Sequence, residues 1–461
     1  MKNRLHSTFI LMLMVVAGLY GLYYLPPLGV ADVMLRKVDI IADVRTKKTE
    51  PLPTVEEDTN SIVVPVVRPE FVDTCRAGLT CIEDFSDSTM RGMTNFYEKL
   101  DQIATLDRPV RIAYMGDSFI EADIFTADLR EMLQKKYGGC GVGYVSISNP
   151  ISGFRRTVLH RFKGWKRHNV TDTIGFNHQQ QDISNQYFIP SEGASVTLSG
   201  QKKYASLLDT CEMSTIYFRT MDDLNIRAHI NGVKARDFAV KGREGLQSLT
   251  VKGRIGTVKW TVEDVDSVCY FYGATMDPSR GVVVDNFSVR GSSGKQLMHV
   301  PYSIMKQYDR QREYDLVVLQ YGLNVVFASG RNYDYYTKAM IPVVEKIKQV
   351  FPKASILIVG VGDREERNEY GELHTMPAVK SMIVYQKKLA ALTHVAFWNM
   401  YEAMGGEGSI VEMVNSKPPM ANLDYTHINF RGGKHLAGIL FETLMYGKSQ
   451  HDKRKAYENG N

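Results

Sequence analysis

Residues 110–118 read Val-Arg-Ile-Ala-Tyr-Met-Gly-Asp-Ser. A short apolar run that stops at a glycine has the pattern of a buried strand. From Ile124 to Tyr137 the apolar spacing turns helical, and Gly138-Gly139 ends it. Strand, tight turn and helix open an α/β unit. In open parallel sheets ligands bind beyond the carboxyl ends of the strands. Asp117 and Ser118 therefore stand where chemistry is expected.

Working outward, the same alternation returns after Gly281. Val282–Val284 and Leu316–Leu319 read as strands, the second ending at Gly322. A helix follows over 335–351, a strand over 355–361, a helix over 377–392, a strand over 395–398 and a last helix over 432–445. Strands alternating with helices of this length predict a parallel sheet covered on both faces. Residues 151–280 read differently. Short runs at 194–198, 214–219, 225–230, 248–251, 257–262 and 267–272 are rich in Val, Ile, Thr and aromatics. Turn pairs such as Asn231-Gly232 and Lys252-Gly253 separate them. This predicts an all-β module, a sandwich or jelly roll, inserted into one α/β domain made of 96–150 and 281–450. A polar tail, 451–461, would close the chain.

The ends and the composition narrow the class. Lys2 and Arg4 precede an apolar run from Phe9 to Leu25, seventeen residues. At a helical rise of about 1.5 Å it reaches about 26 Å, near the lower limit for crossing a bilayer. Residues 1–30 read as a signal anchor that exports the rest, leaving the chain anchored in an inner membrane facing the periplasm or cell envelope, or released there if cleaved. Residues 31–95 read as a stalk, Pro-rich and charged over 46–68, with a helix starting near Asp87 or Ser88 that sets Phe96, Tyr97 and Leu100 on one face. The 461 residues carry a net charge of +5, too mild to argue for nucleic acid. With 44% hydrophobic and 23% charged residues the chain is neither disordered nor fibrous. Five cysteines are too few for a disulfide scaffold, although Cys75 and Cys81 can close a small loop in an oxidising compartment. No CxxC or HExxH pattern occurs, so the sequence gives no metal site.

Two groups fall at strand ends, Gly116-Asp117-Ser118 and Gly322-Leu323-Asn324, and a third, Asp424-Tyr425-Thr426-His427, lies in the loop before the last helix. A serine hydroxyl is a weak nucleophile until a base takes its proton, and a carboxylate must fix the tautomer of that base. Asp424 and His427, three apart, suit one turn. Ser118 at a strand-to-helix turn offers its N–H to a developing negative charge. Asn324 adds a side-chain donor, and Gly291 a backbone N–H open to close approach. Singly, each has an ordinary structural reading: Asp117 as a helix N-cap, the glycines and Asn324 as turn residues. Their joint order carries the inference.

In that order the blocks resemble those of the SGNH (GDSL-type) hydrolases. Gly116-Asp117-Ser118 matches the first block, and Asn286-Phe-Ser-Val-Arg-Gly291 resembles the second, with Gly294 a weaker candidate for its glycine. Gly322-x-Asn324 matches the third and Asp424-x-x-His427 the fifth. A closer resemblance is to the peptidoglycan O-acetylesterases and their O-acetyltransferase relatives. It is carried by Gly116-Asp-Ser-Phe-Ile-Glu-Ala-Asp-Ile-Phe-Thr126, Gly141-Val-Gly143 and Phe397-Trp-Asn-Met-Tyr-Glu-Ala-Met-Gly-Gly406. The resemblance spans a little under half the chain. It implies a flavodoxin-like α/β/α fold and an inserted β-sandwich resembling a carbohydrate-binding module. It implies Ser118, His427 and Asp424 as a triad, and Ser118, Gly291 and Asn324 as oxyanion donors. The implied reaction removes acetyl esters from an envelope glycan and needs no metal or organic cofactor. The rival is an acetyltransferase fed by a membrane-bound acyltransferase partner, and a second rival is a non-catalytic glycan-binding scaffold. Two departures bear on substrate: Phe119 where many members have His, and Val325 where the residue is often acidic.

Asp117, Phe119, Gly294, Gly322, Arg364 and His374 are further candidates for substrate contact. The stretch from Arg155 to His168, basic with interleaved aromatics, reads as a solvated loop or as a face for an acidic glycan or anionic lipid. Losing one oxyanion donor costs about 10²–10³ in rate, so Asn324→Ala is expected to be impaired but active. Unchanged turnover would remove Asn324 from the site.

Overall fold

In the computed structural model, which describes residues 71–460 apart from 88, 173, 266 and 267, together with positions 10, 13, 14, 29, 30, 33 and 34, the strand Val110–Gly116 lies second in a six-stranded sheet. The spatial order is 282–288, 110–116, 316–320, 355–359, 396–398 and 83–84. The first five are parallel and the short sixth is antiparallel. Numbered along the chain the parallel strands run 2-1-3-4-5, so the order reverses at Val110–Gly116. All seven residues of that strand are buried, which is why it reads as an apolar run, interrupted at Arg111, and not as an alternation. The helices fall into two packed groups. Thr94–Asp101 and Thr126–Tyr137 lie against Phe430–Glu458, while Asp334–Val350 lies against Tyr302–Arg312 and Pro377–Thr393.

Nine strands of the second region join one antiparallel ladder network. They are 143–146, 158–169, 186–200, 211–220, 224–230, 234–240, 243–255, 257–262 and 270–276. Asn231 and Gly232, both at positive φ (55° and 75°), make the hairpin turn between 224–230 and 234–240. The network has its own core, with Trp260, Phe218, Phe271 and Val196 buried in it. It is nonetheless part of one compact unit, 70–461. Tyr144, Tyr217 and Tyr272 of the ladder belong to the same apolar cluster as Tyr308 and Tyr314 of the α/β part.

Several expectations change. The Arg155–His168 stretch is not a loop: Val158–Asn169 is a strand that, among the described residues, pairs only with Gln186–Gly200. It is an edge strand, exposed from Arg161 to Gly164, and its basic residues hide the strand pattern. The ladder network starts at Gly143, ahead of residue 151. The helix expected near Asp87 begins at Thr94, because the Asp87 carboxylate is taken locally by the Thr89 N–H (2.7 Å) and hydroxyl (2.5 Å). Residues 83–84 add a strand to the sheet, so the stalk does not extend to 95. The polar tail is helical to Glu458, as the end of Phe430–Glu458.

Cys75 and Cys81 form a disulfide. Cys140, Cys211 and Cys269 are free, and burial pushes the Cys140 and Cys269 thiols up to about 11.

The N-terminal residues, 1–69, form a separate unit. Of these, Ile10, Leu13 and Met14 are helical, and Gly29–Val30 pairs with Val33–Met34. The remainder of the expected anchor and stalk lies outside the described residues. Among the described residues no helix is long and apolar enough to cross a membrane.

Candidate active site

The turn after Val110–Gly116 and the loop before the last helix meet. Ser118 Oγ lies 3.3 Å from His427 Nε2, and His427 Nδ1 lies 2.8 Å from Asp424 Oδ2. The residues are 309 positions apart in sequence. Two local features set the loop. Asn422 N–H donates to the His427 carbonyl (2.8 Å), closing it into a tight hairpin. Asp424 Oδ1 accepts from the N–H groups of Thr426 (3.0 Å) and His427 (2.9 Å), with Tyr425 left-handed between them. Burial pushes the Asp424 carboxyl up, but the hydrogen bonds from His427 and Thr426 outweigh it and hold the group below the usual carboxylate range. The last helix is held against the Ser118 side by Gly433. A Cβ there would sit 1.7 Å from the Ile124 carbonyl oxygen, so only glycine permits the approach. Asn429 caps that helix through the N–H groups of Arg431 and Gly432.

Asp117 is buried, 2% exposed. It accepts from Phe119 N–H (3.0 Å) and from Asn324 Nδ2 (2.9 Å). The second Asn324 amide hydrogen goes to the Ser292 carbonyl (3.1 Å). An oxyanion beside Asn324 therefore shares a hydrogen already given to protein. Among the described residues, the backbone N–H groups of Ser118 and Gly291 meet no acceptor. Gly291 is left-handed, with open space where a Cβ would stand.

Burial raises the Asp117 carboxyl to about 6, against the hydrogen bond from Phe119, the nearby His427 and the Asn324 amide. The folded chain thus keeps this proton to about pH 6, whereas the unfolded chain releases it near 3.8. The contribution of Asp117 to stability is complete below about pH 4 and is lost as pH rises through 6. Asp117→Asn is expected to flatten the stability profile between pH 4 and 6 in urea denaturation. A slope equal to that of the parent assigns the titration elsewhere.

Ser118, Phe119, Ile124, Arg290, Asn422, Asp424, His427 and Ile428 line a cleft of about 320 Å³. Of the other sequence candidates, Phe119 is at the cleft and Asp117 supports it from below. Gly294 is not a donor there: its N–H goes to Ser292 Oγ (3.1 Å) and its bare Cα makes room for the Tyr321 ring. Gly322 is left-handed and packs against Gln386. Arg364 reaches the Val326 carbonyl (3.4 Å). His374 lies in a two-stranded ladder and faces Glu366 (3.4 Å). Neither lines the cleft.

The sequence reading missed Arg290, whose guanidinium reaches Glu121 Oε2 (2.7 Å) at the cleft, and Asn422. Their positions beside Gly291 and Asp424 were the available signal.

By sequence the chain matches no family model and no curated protein. Among solved structures it is similar to a peptidoglycan O-acetylesterase, with a TM-score of 0.65 and 20% identity, covering 80% of this chain and 99% of that one. The likeness shows that the chain shares the fold of that structure, a parallel-sheet α/β part carrying an added antiparallel β region. A family two carbohydrate esterase from Cellvibrio japonicus (TM-score 0.26, 8% identity, 66% of this chain, 98% of that one) and a GDSL-like lipase from Bacteroides thetaiotaomicron (0.25, 16%, 36%, 76%) superpose too loosely to add to this.

Proposed function

We propose that the chain is a serine esterase of the SGNH type that removes O-acetyl groups from a cell-envelope polysaccharide, with peptidoglycan the favoured substrate. The observation that carries this is the Ser118–His427–Asp424 relay at the end of the strand where the sheet order reverses. The sheet order and the two helix groups support a flavodoxin-like three-layer α/β/α domain. The nine-stranded region is read as a β-sandwich that helps hold glycan. The apolar N-terminus and the disulfide support export to the periplasm and attachment to the bilayer.

In this reading Ser118 Oγ attacks the acetyl carbonyl carbon while His427 Nε2 takes its proton, and Asp424 holds Nδ1–H and stabilises the imidazolium. The carbonyl oxygen, now negative, is met by the N–H groups of Ser118 and Gly291, and by the Asn324 amide as it swings from the Ser292 carbonyl. His427 returns the proton to the departing sugar oxygen. Water, deprotonated by His427, then attacks the acetyl-Ser118 carbonyl. The intermediate breaks its bond to Ser118 Oγ, which takes the proton back from His427 as the acetyl group leaves as acetic acid, ionised to acetate in solvent. The 3.3 Å separation of Ser118 and His427 is long for a working hydrogen bond, and such contacts shorten when substrate arrives.

The test is mass-spectrometric trapping of an acetyl group on Ser118 after mixing the protein with an aryl acetate. Decay of the adduct in water, at a rate a sugar acceptor does not change, is the expected result. Decay only with acceptor makes the protein an acetyltransferase. No adduct, and no labelling by a serine-directed phosphonate, makes it a binding protein.

A further inference from the structure

Between Ser118 and the helix Thr126–Tyr137 the chain makes one tight turn, Glu121–Asp123. Two consecutive non-glycine residues in it are left-handed, Ala122 at φ 56° and Asp123 at φ 62°. Such residues persist only where their surroundings over-determine them. Here the surroundings converge on one carboxylate. Asp123 is fully buried. Its Oδ1 accepts from Thr126 Oγ1 (2.8 Å) and Asn286 Nδ2 (2.9 Å). Its Oδ2 accepts from Thr157 Oγ1 (2.5 Å), Arg155 Nε (3.0 Å) and Arg130 Nη1 (3.2 Å). Burial pushes this carboxyl up, but the Arg130 and Arg155 guanidiniums and the Thr157 hydroxyl hold it well below the usual carboxylate range.

The donors come from three parts of the fold. Thr126 and Arg130 belong to the helix that follows the turn. Asn286 sits on the sheet strand Val282–Ser288, and its amide also reaches the Ile120 carbonyl (2.8 Å) inside the turn. Arg155 and Thr157 lie within the β-rich region, between its strands Gly143–Ser146 and Val158–Asn169. Arg130 is divided, since its guanidinium also serves the Val284 carbonyl (2.7 Å). Without Arg155 and Thr157, Oδ2 keeps only the longest of its three contacts. Ser118 adjoins the turn they hold, and its carbonyl accepts the Glu121 N–H (3.4 Å).

We propose that Arg155 and Thr157 are positioning residues: through Asp123, a loop of the β-rich region holds the left-handed turn that presents Ser118 Oγ to His427. The inserted region then sets turnover at the serine even for a substrate too small to touch it. This rests on Ser118 being the nucleophile.

The test uses Thr157→Val, which keeps the side-chain shape and removes the hydroxyl, and Thr157→Ser, which restores it. The substrate is an aryl acetate, with active sites counted by a serine-directed phosphonate. Thr157→Val is expected to lower kcat per titrated site by about 10-fold or more with KM within about twofold, and Thr157→Ser to recover the parent rate. Hydrogen exchange is expected to rise over 118–125 and not in the strands 316–320 and 355–359. An unchanged kcat per titrated site overturns the proposal, whatever happens to the melting temperature. If Thr157→Val does not fold, Arg155→Lys gives the same readouts with the charge kept. If the parent protein neither hydrolyses nor labels, the esterase reading falls, and the hold on the turn is then judged by the exchange data alone: unchanged exchange over 118–125 overturns it.

Discussion

Replacing His427 with alanine is expected to lower kcat on an aryl acetate by about 10⁴-fold or more, with little change in KM and none in fold. The reason is that, in the proposed mechanism, Ser118 has no other base among the described residues. Its hydroxyl contacts the imidazole at 3.3 Å, and a serine without a base is barely nucleophilic at neutral pH. A loss of 10⁴ corresponds to about 5.5 kcal/mol of activation free energy, larger than the cost of any single oxyanion donor. The imidazole is about two-fifths exposed, so its removal empties no core. The melting temperature therefore stays that of the parent, which separates lost chemistry from lost structure. Asp424→Asn should cost less. An asparagine oxygen can still accept from the N–H groups of Thr426 and His427, which keeps the loop closed, while the charge that stabilises the imidazolium is gone. A His427→Ala protein that turns over within tenfold of the parent would mean that this relay is not the catalytic one.

The site was readable in sequence where local pattern and chemistry coincide. Val110–Gly116 is buried on both faces and so leaves an apolar run interrupted at Arg111. Asp424 and His427 are three apart, and one turn joins them. Where tertiary contacts decide, the sequence is mute. Gly291 and Gly294 look alike on paper. The structure parts them through Tyr321, which fills the space over Gly294, and through the Ser292 hydroxyl, which takes its N–H. Asn324 was legible as a donor, but not the fact that both its hydrogens are held by Asp117 and Ser292. Arg364 and His374 follow a strand end in sequence, yet their loop turns into its own small ladder. The strand Val158–Asn169 was hidden because an edge strand has one paired neighbour and need not alternate cleanly. The seam between the β-rich region and the parallel sheet was wholly illegible, since its members are scattered from Tyr144 to Tyr314.

At that seam, Arg312→Ala is expected to destabilise the protein by about 3–5 kcal/mol. Arg312 ends the helix Tyr302–Arg312 and is buried. Its guanidinium makes paired contacts to Asp285 (2.7 and 2.8 Å), on a strand of the parallel sheet, and to Asp277 (2.9 and 3.3 Å), just after the last strand of the β-rich region. Burial works against its charge, but the two carboxylates hold its pKa well above the ordinary value. Truncation leaves both carboxylates buried without this cation, and the lost contacts to Asp277 are one of the polar links across the seam. The cost depends on pH. Burial pushes the Asp277 carboxyl up, but Arg312 holds it below its unfolded value, so this stabilisation is present above the unfolded value near 3.8 and is lost as pH falls through the folded one. The gap between parent and variant should therefore be widest near pH 7 and narrow toward pH 3, as read by urea denaturation at each pH. A gap below about 1 kcal/mol at pH 7, the range of a surface pair, would show that the seam is held by its tyrosines and not by its charges.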